Sequence, residues 1–191
     1  MMAKPGSCPR GGIYSQQQYS DFTLWTKVRF ADVRGTCGVQ ANAELYFRSD
    51  YSGAGQGNGY WLNFDAGAGR IALMRSDTWA VLGGCEVNRS IEDGSVFCVR
   101  LEASGDTIKV KIGTTEGAAD IADWQAQDNT FGEGRIVLFN YSTRAIEWDY
   151  VRLGPPETSG DATPTPSPTC AGAEYLLNGD MESGVNEPEH W

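Results

Sequence analysis

The stretch that decides the fold class is RIVLFNYSTRAIEWDYVRLG, residues 135–154. Ile136 and Leu138 alternate with Val137, Phe139 and Tyr141, so both faces are apolar, as in a strand buried between two layers. Ser142, Thr143 and Arg144 read as a short turn, which makes the stretch a terminal hairpin. In the second strand Ile146 and Trp148 share a face, but Val151 and Leu153 lie an odd number of residues past Trp148. A bulge near Asp149 or Tyr150 returns both to the core side. Gly154 and the Pro155-Pro156 pair then stop the sheet.

Upstream the same period of two recurs. In FTLWTKVRF, residues 22–30, Phe22, Leu24, Thr26, Val28 and Phe30 share one face, and Trp25, Lys27 and Arg29 the other. Residues 43–49 place Leu45 and Phe47 opposite Glu44, Tyr46 and Arg48. Residues 59–65 place Tyr60, Leu62 and Phe64 opposite Trp61 and Asn63. Residues 96–103 and 107–112 form a hairpin around Ser104-Gly105-Asp106, with Phe97, Val99 and Leu101 facing inward beside Ile108, Val110 and Ile112. Residues 13–19 read as a short edge strand, and residues 114–130 as a long loop holding Trp124 and room for one helical turn.

No segment between Phe22 and Leu153 keeps a helical period. Short strands with frequent turn signals predict an all-β fold, a two-sheet antiparallel jelly-roll sandwich. Its core is expected to hold Phe22, Val28, Leu62, Leu101, Val110, Leu138 and Trp148. Residues 1–12 read as a lead-in and 13–154 as the sandwich. Residues 155–169, PPETSGDATPTPSPT, read as an extended Pro/Thr/Ser linker. Residues 170–191 are too short to fold alone and read as the truncated start of a second module of the same polypeptide.

The formal net charge of −10 repels phosphate backbones and anionic membrane surfaces, which argues against nucleic-acid and membrane partners. No run is apolar for long enough to span a bilayer. Five cysteines, Cys8, Cys37, Cys85, Cys98 and Cys170, match no zinc spacing, and the one histidine, His190, lies outside the sandwich. The four before the linker allow three disulfide connectivities; Cys85–Cys98 with Cys8–Cys37 is the favoured one, and buried thiols are the alternative. Disulfides place the chain outside the cell or on its surface. Residues 1–12 carry no apolar signal-peptide stretch, so that reading expects a removed leader or a longer parent.

The order DFTLWTKVRF, AELYFRSD, GYWLNFD, VRLEASGDTIKVKI and GRIVLFNYSTRAIEWDYVRLG resembles the concanavalin A-like, laminin G-like jelly-roll superfamily. Within it the style is closest to the 3-keto-disaccharide hydrolase-type domain and to family 66 carbohydrate-binding modules of secreted bacterial proteins. The tail EYLLNGDMESGVNEPEHW resembles the start of family 4/9-type carbohydrate-binding modules. The resemblance implies a polysaccharide or oligosaccharide partner. It also implies a structural Ca²⁺ beside the last strand, for which Asp149 is the candidate ligand. DYVRL further resembles the last strand of family 16 glycoside hydrolases, but their paired-carboxylate spacing is absent here.

Tyr46, Arg48, Trp61 and Asn63 form the first candidate sugar site, because they lie opposite the core faces of neighbouring strands. Aromatic rings stack on sugar C–H faces, while Arg and Asn bond hydroxyls. Trp79 and Trp124, both read as loop residues, form a competing rim site, with Asp77 beside Trp79. The lead reading is a non-catalytic carbohydrate-binding module of a secreted or surface multidomain protein. One alternative is a glycoside hydrolase or lyase using Glu44 and Glu147 as acid and base. The other is a laminin G-like protein-interaction module.

Overall fold

The computed structural model describes residues 10–34, 41–52, 57–86, 91–141, 146–156 and 181–184. Period-two segments become strands wherever one side can be buried. TIKVKIG, the strand Thr107–Gly113, shows this directly: Ile108, Val110 and Ile112 are fully buried, while Thr107, Lys109 and Lys111 alternate with them toward solvent. In chain order the strands are β1 (Arg10–Ser15), β2 (Phe22–Phe30), β3 (Asn42–Ser49), β4 (Tyr60–Asp65), β5 (Arg70–Arg75) and β6 (Val81–Glu86). They continue with β7 (Val96–Ser104), β8 (Thr107–Gly113), β9 (Ala122–Gln127), β10 (Arg135–Tyr141), β11 (Ile146–Gly154) and β12 (Met181–Gly184). Among the described residues there is no helix, and so none long and apolar enough to cross a membrane.

The strands form two antiparallel sheets packed as a jelly-roll sandwich. One has the order β12-β1-β10-β3-β4-β5-β6, the other β11-β2-β7-β8-β9. Their inner faces share one core that includes Phe22, Leu24, Val28, Phe30, Leu45, Phe47, Leu62, Phe64, Leu101, Val110 and Leu138. Of the expected core residues only Trp148 is partly buried; its indole N–H donates to Asn140 Oδ1 at 2.9 Å.

The bulge expected in the last strand is present. Trp148 pairs with Val28 and Val151 with Thr26, so Asp149 and Tyr150 together stand opposite Lys27. Lys27 forms an ion pair with Asp149, and the Thr26 hydroxyl donates to the Tyr150 carbonyl at 2.5 Å. The extra residue returns Val151 to the core cluster, with Leu153 packed against it.

Other expectations are corrected. Residues 135–154 are not a hairpin: β10 lies in the seven-stranded sheet between β1 and β3, while β11 lies in the five-stranded sheet beside β2. Both hydrogen-bonding edges of β10 are already occupied, so the chain arches from one sheet to the other. Trp124 is not on a loop, and no helical turn forms near it. Residues 122–127 are β9, an edge strand whose Ala122, Trp124 and Ala126 turn toward the core. Alternation was present in ADWQAQ, but Ala and Gln are poor strand formers and hid it. Within the segment read as the start of a second module, residues 181–184 form β12 and pair antiparallel with β1. The remaining residues of 157–191 lie outside the described residues, as do Cys8, Cys37 and Cys170. Cys85 is described by its backbone, on β6 opposite Ile71 of β5, and Cys98 is buried on β7. No disulfide is seen among the described residues.

Candidate sugar-binding face

The seven-stranded sheet has a second apolar face, turned away from the core. Because side chains alternate strictly, the pairing registers arrange this face in rows that run across the strands. One row is Tyr14, Val137, Tyr46, Trp61, Met74 and Val81, from β1 through β10, β3, β4 and β5 to β6. The next is Gly12, Phe139, Glu44, Asn63, Ala72 and Gly84. Tyr141, Asn42, Asp65 and Arg70 continue a third. Tyr46, Trp61, Ala72, Met74, Val137 and Phe139 pack with Tyr51 into a cluster separate from the core, with Tyr14 and Tyr141 against it.

The alternation of β3 and β4 thus places Tyr46, Trp61 and Asn63 together on the outer face. The Tyr46 and Trp61 rings stack at 5.4 Å between centroids, 27° from parallel. Trp79 joins them from the β5–β6 turn, edge-on to Trp61 at 5.2 Å and 83°. The two sets read from the sequence as rival sites therefore share one residue cluster. Trp79 is 58% exposed and holds φ at +59°, a left-handed conformation that is costly for a bulky side chain. Its turn is pinned by Arg75, whose guanidinium grips both Asp77 oxygens at 3.1 and 2.6 Å and reaches Asp128 at 3.3 Å. The Arg75 hydrogen bonds hold Asp77 below the usual carboxylate range. Among the described residues the exposed large apolar side chains are Trp79 and Val81, and both border this face.

Two residues of the sequence-derived sets fall elsewhere. Arg48 leaves the outer face because β3 carries a bulge there, with Phe47 and Arg48 together opposite Ile136. With φ at +46°, Arg48 sends its guanidinium to the carbonyls of Ser20 (2.8 Å), Gly105 (2.8 Å) and Phe131 (3.2 Å) and to Asp21 (3.2 Å). It is a buried brace between the two sheets. Gly134 makes room for the bulge, since a Cβ there would stand 2.3 Å from the Arg48 carbonyl carbon. Trp124 packs on the core side of β6, beneath the sheet, its Cβ 3.8 Å from the position a Cβ on Gly83 would take. It plugs the gap between two edge strands.

Asp149 is paired with Lys27, and among the described residues no group of three or more acidic, His or Cys side chains gathers anywhere. Ca²⁺ takes six to eight oxygen ligands; one carboxylate already held by an ammonium does not fit a calcium site. The paired-carboxylate arrangement also fails. Glu44 lies on the outer face of the seven-stranded sheet, whereas Glu147 bonds Arg29 at 3.2 Å on the outer face of the five-stranded sheet. The whole sandwich separates them, so they cannot share a substrate bond.

Glu44 belongs to the site in another way. It is only 4% exposed, and Tyr46 donates its hydroxyl to Glu44 Oε2 at 2.8 Å. Burial pushes the carboxyl up to about 7; the Tyr46 hydrogen bond opposes this and the negative charge of Asp65 adds to it. Burial, with Glu44 alongside, also raises the Tyr46 phenol. Beside this pair two buried polar atoms have no hydrogen-bond partner: Trp61 Nε1, a donor, and Asn63 Oδ1, an acceptor. Arg70 Nε and Arg135 Nε are likewise unpartnered; Arg135 lies over the Tyr14 ring at 5.2 Å and donates to the Tyr51 carbonyl. Unpaired polar atoms beside stacked aromatics are costly to leave as they are and suit an incoming polar ligand with apolar faces.

No protein-family model matches the chain, and no curated protein matches it. Solved structures do. The chain is similar to a carbohydrate-binding module CBM66 from Bacillus subtilis, at 24% identity over 77% of this chain and 83% of that one, with a TM-score of 0.59. It is similar to a Bacillus subtilis protein of unknown function with a galectin-like fold, at 10% identity over 76% and 77%, TM-score 0.58. The exoplasmic/lumenal domain of VIP36, solved in a Ca²⁺/Man3GlcNAc-bound form, matches at 13% identity over 83% and 79%, TM-score 0.55. At these identities the likeness establishes the fold, a jelly-roll β-sandwich.

Proposed function

We propose that this chain is a non-catalytic glycan-binding module and that the sugar lies on the outer face of the seven-stranded sheet, over Trp61 and against Trp79. The observation that carries the reading is the pair of unpartnered buried atoms, Trp61 Nε1 and Asn63 Oδ1, set in the aromatic cluster of Tyr46, Trp61 and Trp79. Sugars present apolar C–H faces to rings and hydroxyls to the polar atoms between them. The jelly-roll likeness to a carbohydrate-binding module and to a glycan-bound lumenal domain supports the same reading. A secreted or surface-attached multidomain parent is the setting in which such a module serves.

The test is a glycan array with the full chain, followed by calorimetry on Trp61→Phe. Phenylalanine keeps the stack on Tyr46 and removes the orphaned donor. Affinity should fall about 3- to 10-fold, the worth of one hydrogen bond. Absence of binding to any glycan at millimolar concentration would refute the proposal.

A further inference from the structure

We propose that the face selects an uncharged sugar and that Glu44 carries a proton in the complex, so that binding is tied to pH. This rests on the glycan-binding reading and deepens it.

Glu44 sits in the middle of the sheet, on β3 between β10 and β4. From β10 it faces Phe139 in register, with Val137 and Tyr141 to either side. From β4 it faces Asn63 in register, with Trp61 and Asp65 to either side. Its neighbours on its own strand and face are Asn42 and Tyr46. Beyond them stand Tyr14 on β1 and Arg70, Ala72 and Met74 on β5. The charged member of the immediate ring is therefore another carboxylate, Asp65. Among the described residues no Lys or Arg forms an ion pair with Glu44, and its one hydrogen bond comes from Tyr46. The cations on this face stand away from Glu44: Arg135 lies over Tyr14 and bonds Tyr51, and Arg70, in register with Asp65, is on β5, two strands from Glu44.

An anionic sugar would bring a further negative charge beside Glu44 and Asp65, and among the described residues no Lys or Arg adjoins Glu44 on β10 or β4 to meet it. An uncharged sugar brings hydroxyls, each able to donate and to accept. Such hydroxyls match the two buried atoms that lack a partner: one donates to Asn63 Oδ1 and one accepts from Trp61 Nε1. A third accepts the proton of a neutral Glu44. A sugar laid on the face also removes the remaining water from Glu44, which favours the protonated carboxyl further. The free carboxyl already titrates at about 7. If only the protonated form binds, the association constant is nearly flat below pH 6 and falls about tenfold for each unit above 7.

The experiment uses the full chain and a panel of neutral hexose tetrasaccharides with their uronic-acid counterparts. For a neutral tetrasaccharide that binds, affinity should drop about tenfold between pH 6 and pH 8. Calorimetry at pH 7.5 in two buffers of different ionisation enthalpy should show proton uptake. Glu44→Gln should keep its pH 6 affinity at pH 8. Affinity independent of pH in the unaltered protein, or uronic-acid chains that bind as well as neutral ones, would overturn the inference. If Glu44→Gln does not fold, the pH profile and the buffer-dependent heat of the unaltered protein decide alone. Binding to no sugar at any pH overturns the glycan reading itself, whereas neutral binding without pH dependence overturns only the proton at Glu44.

Discussion

Replacing Glu44 by glutamine should stabilise the protein at alkaline pH and leave it unchanged in acid. The carboxyl rises from an ordinary 4.5 to about 7 in the fold, chiefly because it is buried. A carboxyl raised on folding is neutral in the native state while its unfolded counterpart has already ionised. Its contribution is fully present below pH 4.5 and is lost as pH climbs through 7. Each unit of displacement corresponds to about 1.4 kcal/mol, so the penalty at pH 8.5 is about 3 kcal/mol. Glutamine keeps an acceptor for the Tyr46 hydroxyl and has no charge to bury. Urea unfolding followed by tryptophan fluorescence at pH 4.5 and 8.5 measures the difference. The variant should match the unaltered protein at pH 4.5 and exceed it by about 3 kcal/mol at pH 8.5. For a chain of this size that is about 2–4 °C of melting temperature per kcal/mol. Comparing the two proteins at each pH cancels the other titrating groups. An equal difference at both pH values would refute the burial argument for Glu44.

Arg48→Lys should destabilise by about 3 kcal/mol or more in urea unfolding, because an ammonium cannot replace a planar fork that reaches three carbonyls and Asp21. Trp79→Gly should raise stability by about 1 kcal/mol through relief of the left-handed backbone, while weakening glycan binding in calorimetry through loss of the exposed ring. Trp124→Ala should lower the melting temperature and leave glycan affinity unchanged, since this ring packs on the core cluster, on the other side of the sheet from the candidate face. A loss of affinity in Trp124→Ala without loss of stability would count against the placement of the site.

The sequence by itself determined the β class, most strands and the sides of those strands. Period-two burial is a local property of each segment, so Leu45 and Phe47 could be separated from Glu44 and Tyr46, and Leu62 and Phe64 from Trp61 and Asn63. The slipped alternation after Trp148 announced the bulge for the same reason. Pairing is not local, and what depended on it came only from the tertiary structure. Residues 135–154 fit a hairpin and an arch equally well until β1 and β3 claim both edges of β10. The apolar Val137, Phe139 and Tyr141 suggested burial between layers; Val137 and Phe139 are buried, but in a cluster with Tyr46 and Trp61 on the side of the sheet turned away from the core. Tertiary structure also moved Arg48, because a bulge and one left-handed residue turn its side chain into the gap between sheets. It separated Glu44 from Glu147 by assigning them to opposite sheets, and it surrounded Glu44 with aromatic rings and a second carboxylate. Charge and spacing are written in the chain, but the desolvation that sets a carboxyl's proton affinity exists only once distant strands close around it.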